Sequence, residues 1–195
     1  LILIAGCSLS CSKKRDVKTV CSDYLQNKIE LKGITVQYPQ NNTLYPVDFQ
    51  SPTFKWKDAS SGKTDWYIRI SDSLNKLIID GFTWSQQWKP DSAKWEALKK
   101  NNVEKKLRIA VIGHDNKMKT FSGGTGFFTI SEDSVGSDIF YRAVTLPFSY
   151  AVSNVQTIEW YMGSVSGGKP RKMLDNMNVC ANCHSFSAEG PTLAM

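Results

Sequence analysis

Asp65-Trp66-Tyr67-Ile68-Arg69-Ile70 alternates without a break: Trp66, Ile68 and Ile70 share one side, Tyr67 and Arg69 the other. Successive side chains of an extended strand point to opposite faces, so this pattern predicts a strand with one face against a core. The same period of two recurs outward in both directions. Ile34, Val36 and Tyr38 alternate in Gly33–Tyr38; Pro52, Phe54 and Trp56 alternate in Ser51–Lys57; Leu107, Ile109 and Val111 alternate in Lys106–Ile112. Turn chemistry separates these runs at Ser60-Ser61-Gly62, Asp72-Ser73, Asp115-Asn116 and Ser122-Gly123-Gly124. One helix interrupts them, with Asp91 or Ser92 as N-cap, Trp95 and Leu98 on one face, Lys99 and Lys100 in the last turn and Asn101 as the stop.

Short strands at this spacing predict an all-β chain in which residues 33–131 form an immunoglobulin- or fibronectin-like antiparallel sandwich, a size that suits that fold. Trp56 and Trp66 lie on apolar strand faces and read as core. Trp84, Trp88 and Trp95 surround the helical crossing, where partial exposure would leave room for a weak glycan contact. Residues 132–179 read as a linker (Ser131–Asp138) with connecting strands in Ile139–Phe148 and Val155–Gly163, followed by the turning segment Ser166–Lys172.

The chain has 195 residues and a formal charge of +6. That excess is spread along the sequence with no basic stripe among exposed aromatics, which argues against a nucleic-acid partner. No run of eighteen apolar residues appears, so no bilayer-spanning helix is predicted. The front, Leu1-Ile2-Leu3-Ile4-Ala5-Gly6-Cys7, is an apolar run ending in small residues and a cysteine. Residues 1–7 read as the remnant of an export signal, and Ile4-Ala5-Gly6-Cys7 resembles the bacterial lipobox, which implies lipidation at Cys7. Residues 8–32, with Lys13-Lys14-Arg15, read as a solvated tether from a bacterial membrane, placing the protein in the cell envelope, facing periplasm or cell surface.

Residues 180–195 carry the chemistry. Cys180-Ala181-Asn182-Cys183-His184 spaces two thiols so that each can add to one vinyl group of a single haem, with the adjacent histidine as proximal iron ligand. Three other readings compete. A redox disulfide of this spacing belongs beside a βαβ pattern, which is absent. A structural zinc site needs four ligands, and beyond the cluster only His114, Cys11 and Cys21 remain. Chance is the third. With Cys7 lipidated and Cys180 and Cys183 on haem c, two of the five cysteines are left, Cys11 and Cys21, which an oxidising compartment would allow to pair. For the distal iron position the candidates are Met195 first, then Met173, Met177 and His114, although His114 reads better as an exposed turn residue. Ser122–Gly126 lacks the Lys-Ser/Thr ending of a phosphate loop and reads as a hairpin or bulge. No catalytic constellation is present.

The final stretch, Ser187–Met195, resembles the opening of a TolB-type propeller blade, in which an acidic-Gly turn leads into an apolar strand. Together with Thr43–Trp56, Trp88–Lys100, Ile139–Phe148 and Val179–Met195, it makes most of residues 33–195 similar to exported TolB-like propeller lipoproteins of Gram-negative bacteria. The resemblance implies a β-propeller after the haem-attachment loop. The expected function is a membrane-anchored c-type haem lipoprotein for electron transfer or redox sensing, with a redox protein as partner. The alternative is a non-haem envelope binding or assembly module in which the C-x-x-C-H segment is a structural clip.

Overall fold

The structure, a computed structural model, describes residues 16–178, 183–190 and 192–194. It is mostly β and divides into two compact units, one of residues up to Val47 together with Ser51–Asp133, the other of Asp48–Gln50 with the residues from Ser134 onward.

Among the described residues the first unit holds eight strands: β1 (Ile34–Tyr38), β2 (Thr43–Tyr45), β3 (Phe54–Asp58), β4 (Asp65–Ser71), β5 (Leu77–Thr83), β6 (Gln87–Trp88), β7 (Lys106–His114) and β8 (Phe121–Ile130). They form a five-stranded sheet in the order β2-β8-β7-β4-β5 and a three-stranded sheet in the order β1-β3-β6. All pairings are antiparallel except β2 on β8, where Thr43–Tyr45 runs parallel to Phe128–Ile130. The alternation read from the sequence sets the core. Phe54, Trp56, Trp66, Ile68, Ile70, Leu107, Ile109 and Val111 are all buried, each large aliphatic side chain contributing about 1.5–3 kcal/mol by leaving water. A carboxylate joins the two sheets: Asp58 of β3 accepts from Trp66 Nε1 at 3.0 Å and Ser122 Oγ at 2.6 Å. Gly113 has to be glycine beside it, because a Cβ there would meet Ser122 Oγ, Asp58 Oδ2 and Trp66 Nε1, all inside 3.0 Å.

The predicted helix is present as α2 (Ser92–Asn101), capped by Asp91. Trp95 and Leu98 lie under it, and the partial exposure expected for Trp95 is corrected: its indole is fully buried, edge-on to Tyr45 and close to Phe54 and Phe128. Trp84 is the exposed one, at 83 %.

Two further expectations need correction. The tether predicted over residues 8–32 does not describe α1 (Val17–Leu25), a helix capped by Asp16 that buries Val17, Val20, Cys21 and Leu25 against Tyr67, Ala110 and Ile112. These three sheet residues lie on the face turned away from the inner core, so β4 and β7 are covered on both sides. Lys18 ties α1 to β5 through Asp80 at 2.9 Å, and Tyr67 donates to the same carboxylate; burial raises that acid, but the two hydrogen bonds outweigh it and hold it below the usual range. Cys21 is a free, fully buried thiol, and the pairing expected for it with Cys11 falls on a residue outside the described ones. Ser122-Gly123-Gly124 is strand interior, not a turn. A Cβ on Gly124 would sit 2.3 Å from the Ile34 carbonyl oxygen and one on Gly123 would meet Leu31, so the glycines let the chain entering β1 cross close over β8.

The second unit contains β9 (Ile139–Ala143), α3 (Phe148–Ser153), β10 (Glu159–Gly163), β11 (Arg171–Leu174), β12 (Ser185–Phe186) and β13 (Leu193–Ala194). β9, β10 and β11 make an antiparallel sheet with β10 central, and β12 pairs with β13 as a small hairpin. Gly167 and Gly168 take positive φ in the β10–β11 connection, as the predicted turning segment requires. Among the described residues no helix is long and apolar enough to cross a membrane.

Candidate functional site

Strand parity builds the site. Along β10, Trp160 and Met162 point to one side, Glu159 and Tyr161 to the other. Residues directly opposite share a face, so Arg142 of β9 and Leu174 of β11 join Trp160, while Phe140 and Arg171 join Met162. One face therefore carries Phe140, Trp160, Met162, Leu174 and two arginines. The Trp160 indole is 3 % exposed and stacks on Phe140 with ring centres 4.9 Å apart.

His184 rests on this aromatic pair. Its imidazole lies 5.0 Å from Trp160 and 5.2 Å from Phe140, both edge-to-face, with Phe186 at 6.2 Å on the following strand. Phe186 closes the group by meeting Phe140 edge-on at 5.3 Å. Edge-to-face packing of this kind favours one ring orientation over free rotation. The residue nevertheless remains exposed, as does the neighbouring Cys183, a free thiol. The segment is closed behind His184 by a tight turn: Ser187 N donates to Thr192 O, and Gly190 N, at φ +82°, donates to Ser187 O.

The opposite face of the same sheet is polar and internally paired. Lys172 ion-pairs with Glu159 and reaches Asp175 at 3.4 Å, Tyr161 donates to Glu159, and Tyr141 stacks on Tyr161. The Lys172 hydrogen bond, followed by that of Tyr161, holds the Glu159 carboxyl below its ordinary range.

Several of the sequence-based site residues fall elsewhere. Cys7, Cys11, Cys180 and Met195 lie outside the described residues. Met173 sits at the β10–β11 register shift and is 38 % exposed. Met162, which was not among the candidates, shares the face that seats His184; only the pairing register reveals it. His114 is corrected from an exposed turn residue to a buried one, 5 % exposed at the end of β7 in the first unit, with Nδ1 3.0 Å from the Asp115 carbonyl and the ring against Phe121. Its neighbour Asp115 organises the turn by accepting from Lys119, Thr120 and Lys117, which lowers its carboxyl to about 2.

Among the described residues no group of three or more His, Cys, Asp or Glu gathers to hold a metal ion. A c-type haem asks less of the protein than such a cluster, one imidazole and two thiols of the C-x-x-C-H segment, and His184 with Cys183 offers an accessible imidazole and thiol beside apolar aromatic rings. No family model, no curated protein and no solved structure matches this chain.

Proposed function

We propose that this protein is an envelope lipoprotein, anchored through Cys7, that carries one covalent haem c on Cys180, Cys183 and His184 and uses it for electron transfer or redox sensing with a protein partner. The observation that carries the reading is the seating of an exposed His184, beside the free Cys183 thiol, on the Phe140–Trp160 stack. A proximal ligand must present its imidazole in a fixed orientation while leaving room for the iron, and the aromatic seat supplies the first condition while exposure supplies the second. The bound haem would cycle between ferric and ferrous iron. The chain's own share is to orient the imidazole and to supply an apolar wall.

The strand order β1-β3-β6 facing β2-β8-β7-β4-β5 supports an immunoglobulin/fibronectin-like reading of the first unit, and the residues after the C-x-x-C-H segment support a propeller following it, as in the exported propeller lipoproteins the chain resembles. A second reading, a non-haem binding or assembly module with C-x-x-C-H as a clip, draws on Trp84 and Phe82, exposed by 83 % and 52 % at the edge strand β5 and its loop. Flat exposed aromatics of this kind suit a protein or a weak glycan contact.

Visible absorbance separates the two. The chain is expressed in an exporting host with c-haem maturation, beside a Cys180→Ala, Cys183→Ala variant. Haem that stays with the denatured wild type in a pyridine haemochrome assay, and is absent from the variant, is the expected result. A correctly exported but colourless wild type overturns the haem reading in favour of the second.

A further inference from the structure

The two faces of the β9-β10-β11 sheet treat their cations differently. Behind it, Lys172 is neutralised by Glu159 and Asp175. On the face that seats His184, Arg142 stands opposite Trp160 and Arg171 opposite Met162, one on each side of β10. Among the described residues neither guanidinium makes an ion pair or a side-chain hydrogen bond. Arg142 is only partly exposed and Arg171 is exposed. Two adjacent strand spacings separate them, roughly 10 Å across the sheet, with Phe140, Trp160 and Met162 on the same face.

An apolar aromatic surface flanked by two unpaired guanidinium groups suits a flat hydrophobic molecule that carries two carboxylates. Guanidinium is the cation best shaped for this, since its planar fork matches a carboxylate with two parallel hydrogen bonds. We propose that Arg142 and Arg171 hold the two propionate carboxylates of the haem carried by Cys180, Cys183 and His184. The inference rests on the haem reading above and adds to it the groups that set the charge around the cofactor. It assigns the arginines a positioning and electrostatic role: the covalent bonds come from the cysteines and do not depend on them. A cation beside the haem disfavours the extra positive charge of the ferric state, so its removal lowers the midpoint potential. The same cation keeps its propionate ionised, because an opposite charge at close range favours the charged form.

The test is a redox titration of the haem-loaded full chain as wild type, as Arg142→Gln with Arg171→Gln, as the corresponding double Lys variant, and as Lys172→Gln, with covalent haem measured on each by pyridine haemochrome. Covalent haem is expected in all four. In the double Gln variant the ratio of reduced to oxidised haem at a fixed ambient potential falls about tenfold, a shift of ~59 mV for a one-electron couple, and the midpoint falls as pH rises between about pH 5 and 7, as the freed propionates titrate. The double Lys variant retains most of the wild-type midpoint and its flat pH profile. Circular dichroism of the Gln variant matches the wild type. Wild-type protein without covalent haem overturns the haem reading and this inference with it. Covalent haem with an unmoved midpoint in the double Gln variant, or an equal shift in Lys172→Gln, overturns this inference alone.

Discussion

The imidazole of His184 lies 5.0 Å from the indole of Trp160 and is inclined to it by 79°, while Trp160 itself stacks almost parallel, at 14°, on Phe140. The histidine thus inherits its orientation from a pair of rings fixed by the pairing of β9 with β10. Trp160→Ala removes a nearly buried indole, and a cost of about 3–5 kcal/mol is expected from truncations of that size; Trp160→Phe keeps a ring against Phe140 and costs less. In haem-loaded protein, pyridine haemochrome content is expected to stay constant in both variants, because the proposed function assigns attachment to the cysteines. The Soret circular dichroism, which reads how the haem is held, falls in the Ala variant and survives in the Phe variant. An unchanged Soret signal in Trp160→Ala would show that the indole does not orient the site.

Cys21 tests the placement of α1. Burial pushes its thiol up to about 11, partly countered by Arg69. In folded apo-protein at neutral pH, alkylation followed by mass spectrometry is expected to label the exposed Cys183 and to leave Cys21 untouched until denaturant is added. The linkage has a definite sign. A group whose pKa is raised on folding gives stability that is complete below its unfolded value and disappears as pH rises through its folded one. The wild type therefore loses more stability than Cys21→Ala between pH 9.0 and about 11, by an amount of order 2 kcal/mol. Parallel stability curves for the two proteins across that window would place Cys21 in contact with water.

Two glycines two residues apart in β8, Gly124 and Gly126, are expected to respond differently to one methyl group. Gly124→Ala drives a Cβ to 2.3 Å from the Ile34 carbonyl, a backbone atom that yields only by displacing β1, whereas Gly126→Ala meets Ile109 and Val36 at 3.5 Å, an ordinary contact. Overpacking costs about 1–3 kcal/mol where side chains can move, and Gly124→Ala is expected at or above the top of that range. Chemical denaturation checks the pair, and equal midpoints would argue against the crossing.

The alternating strands β1, β3, β4 and β7, the capped helix α2 and the strands β9 and β10 were legible because each answers to its own residues, whereas β11 begins inside the segment read as a turn. α1 was legible too: Val17, Val20, Cys21, Tyr24 and Leu25 follow helical spacing, but the charges just before them drew the segment into a tether. β8 was not, since its glycines answer to β1, some ninety residues earlier in the chain, and out of context they read as a turn. The proposed site is marked in the sequence by spacing, and its surroundings are not. Cys180, Cys183 and His184 announce themselves by spacing, whereas Phe140, Arg142, Trp160 and Met162 come to the same face only through strand pairing. His114 shows the reverse error: its Gly-His-Asp-Asn context suggests an open turn, yet the pairing of β7 with β8 extends to His114 itself and encloses it.

The parallel pairing of Thr43–Tyr45 with Phe128–Ile130 carries a consequence for the order in which the molecule comes into being. The first unit's five-stranded sheet is closed by its last strand, and β2 finds its partner only there, whereas β7 also pairs with β4. A chain synthesised from its N-terminus carries β2 without its partner and the five-stranded sheet incomplete until residue 130 has emerged, a long-range pairing that slows folding. That delay lengthens the time the emerging unit stays unfolded, because a strand near its front waits for the one made last.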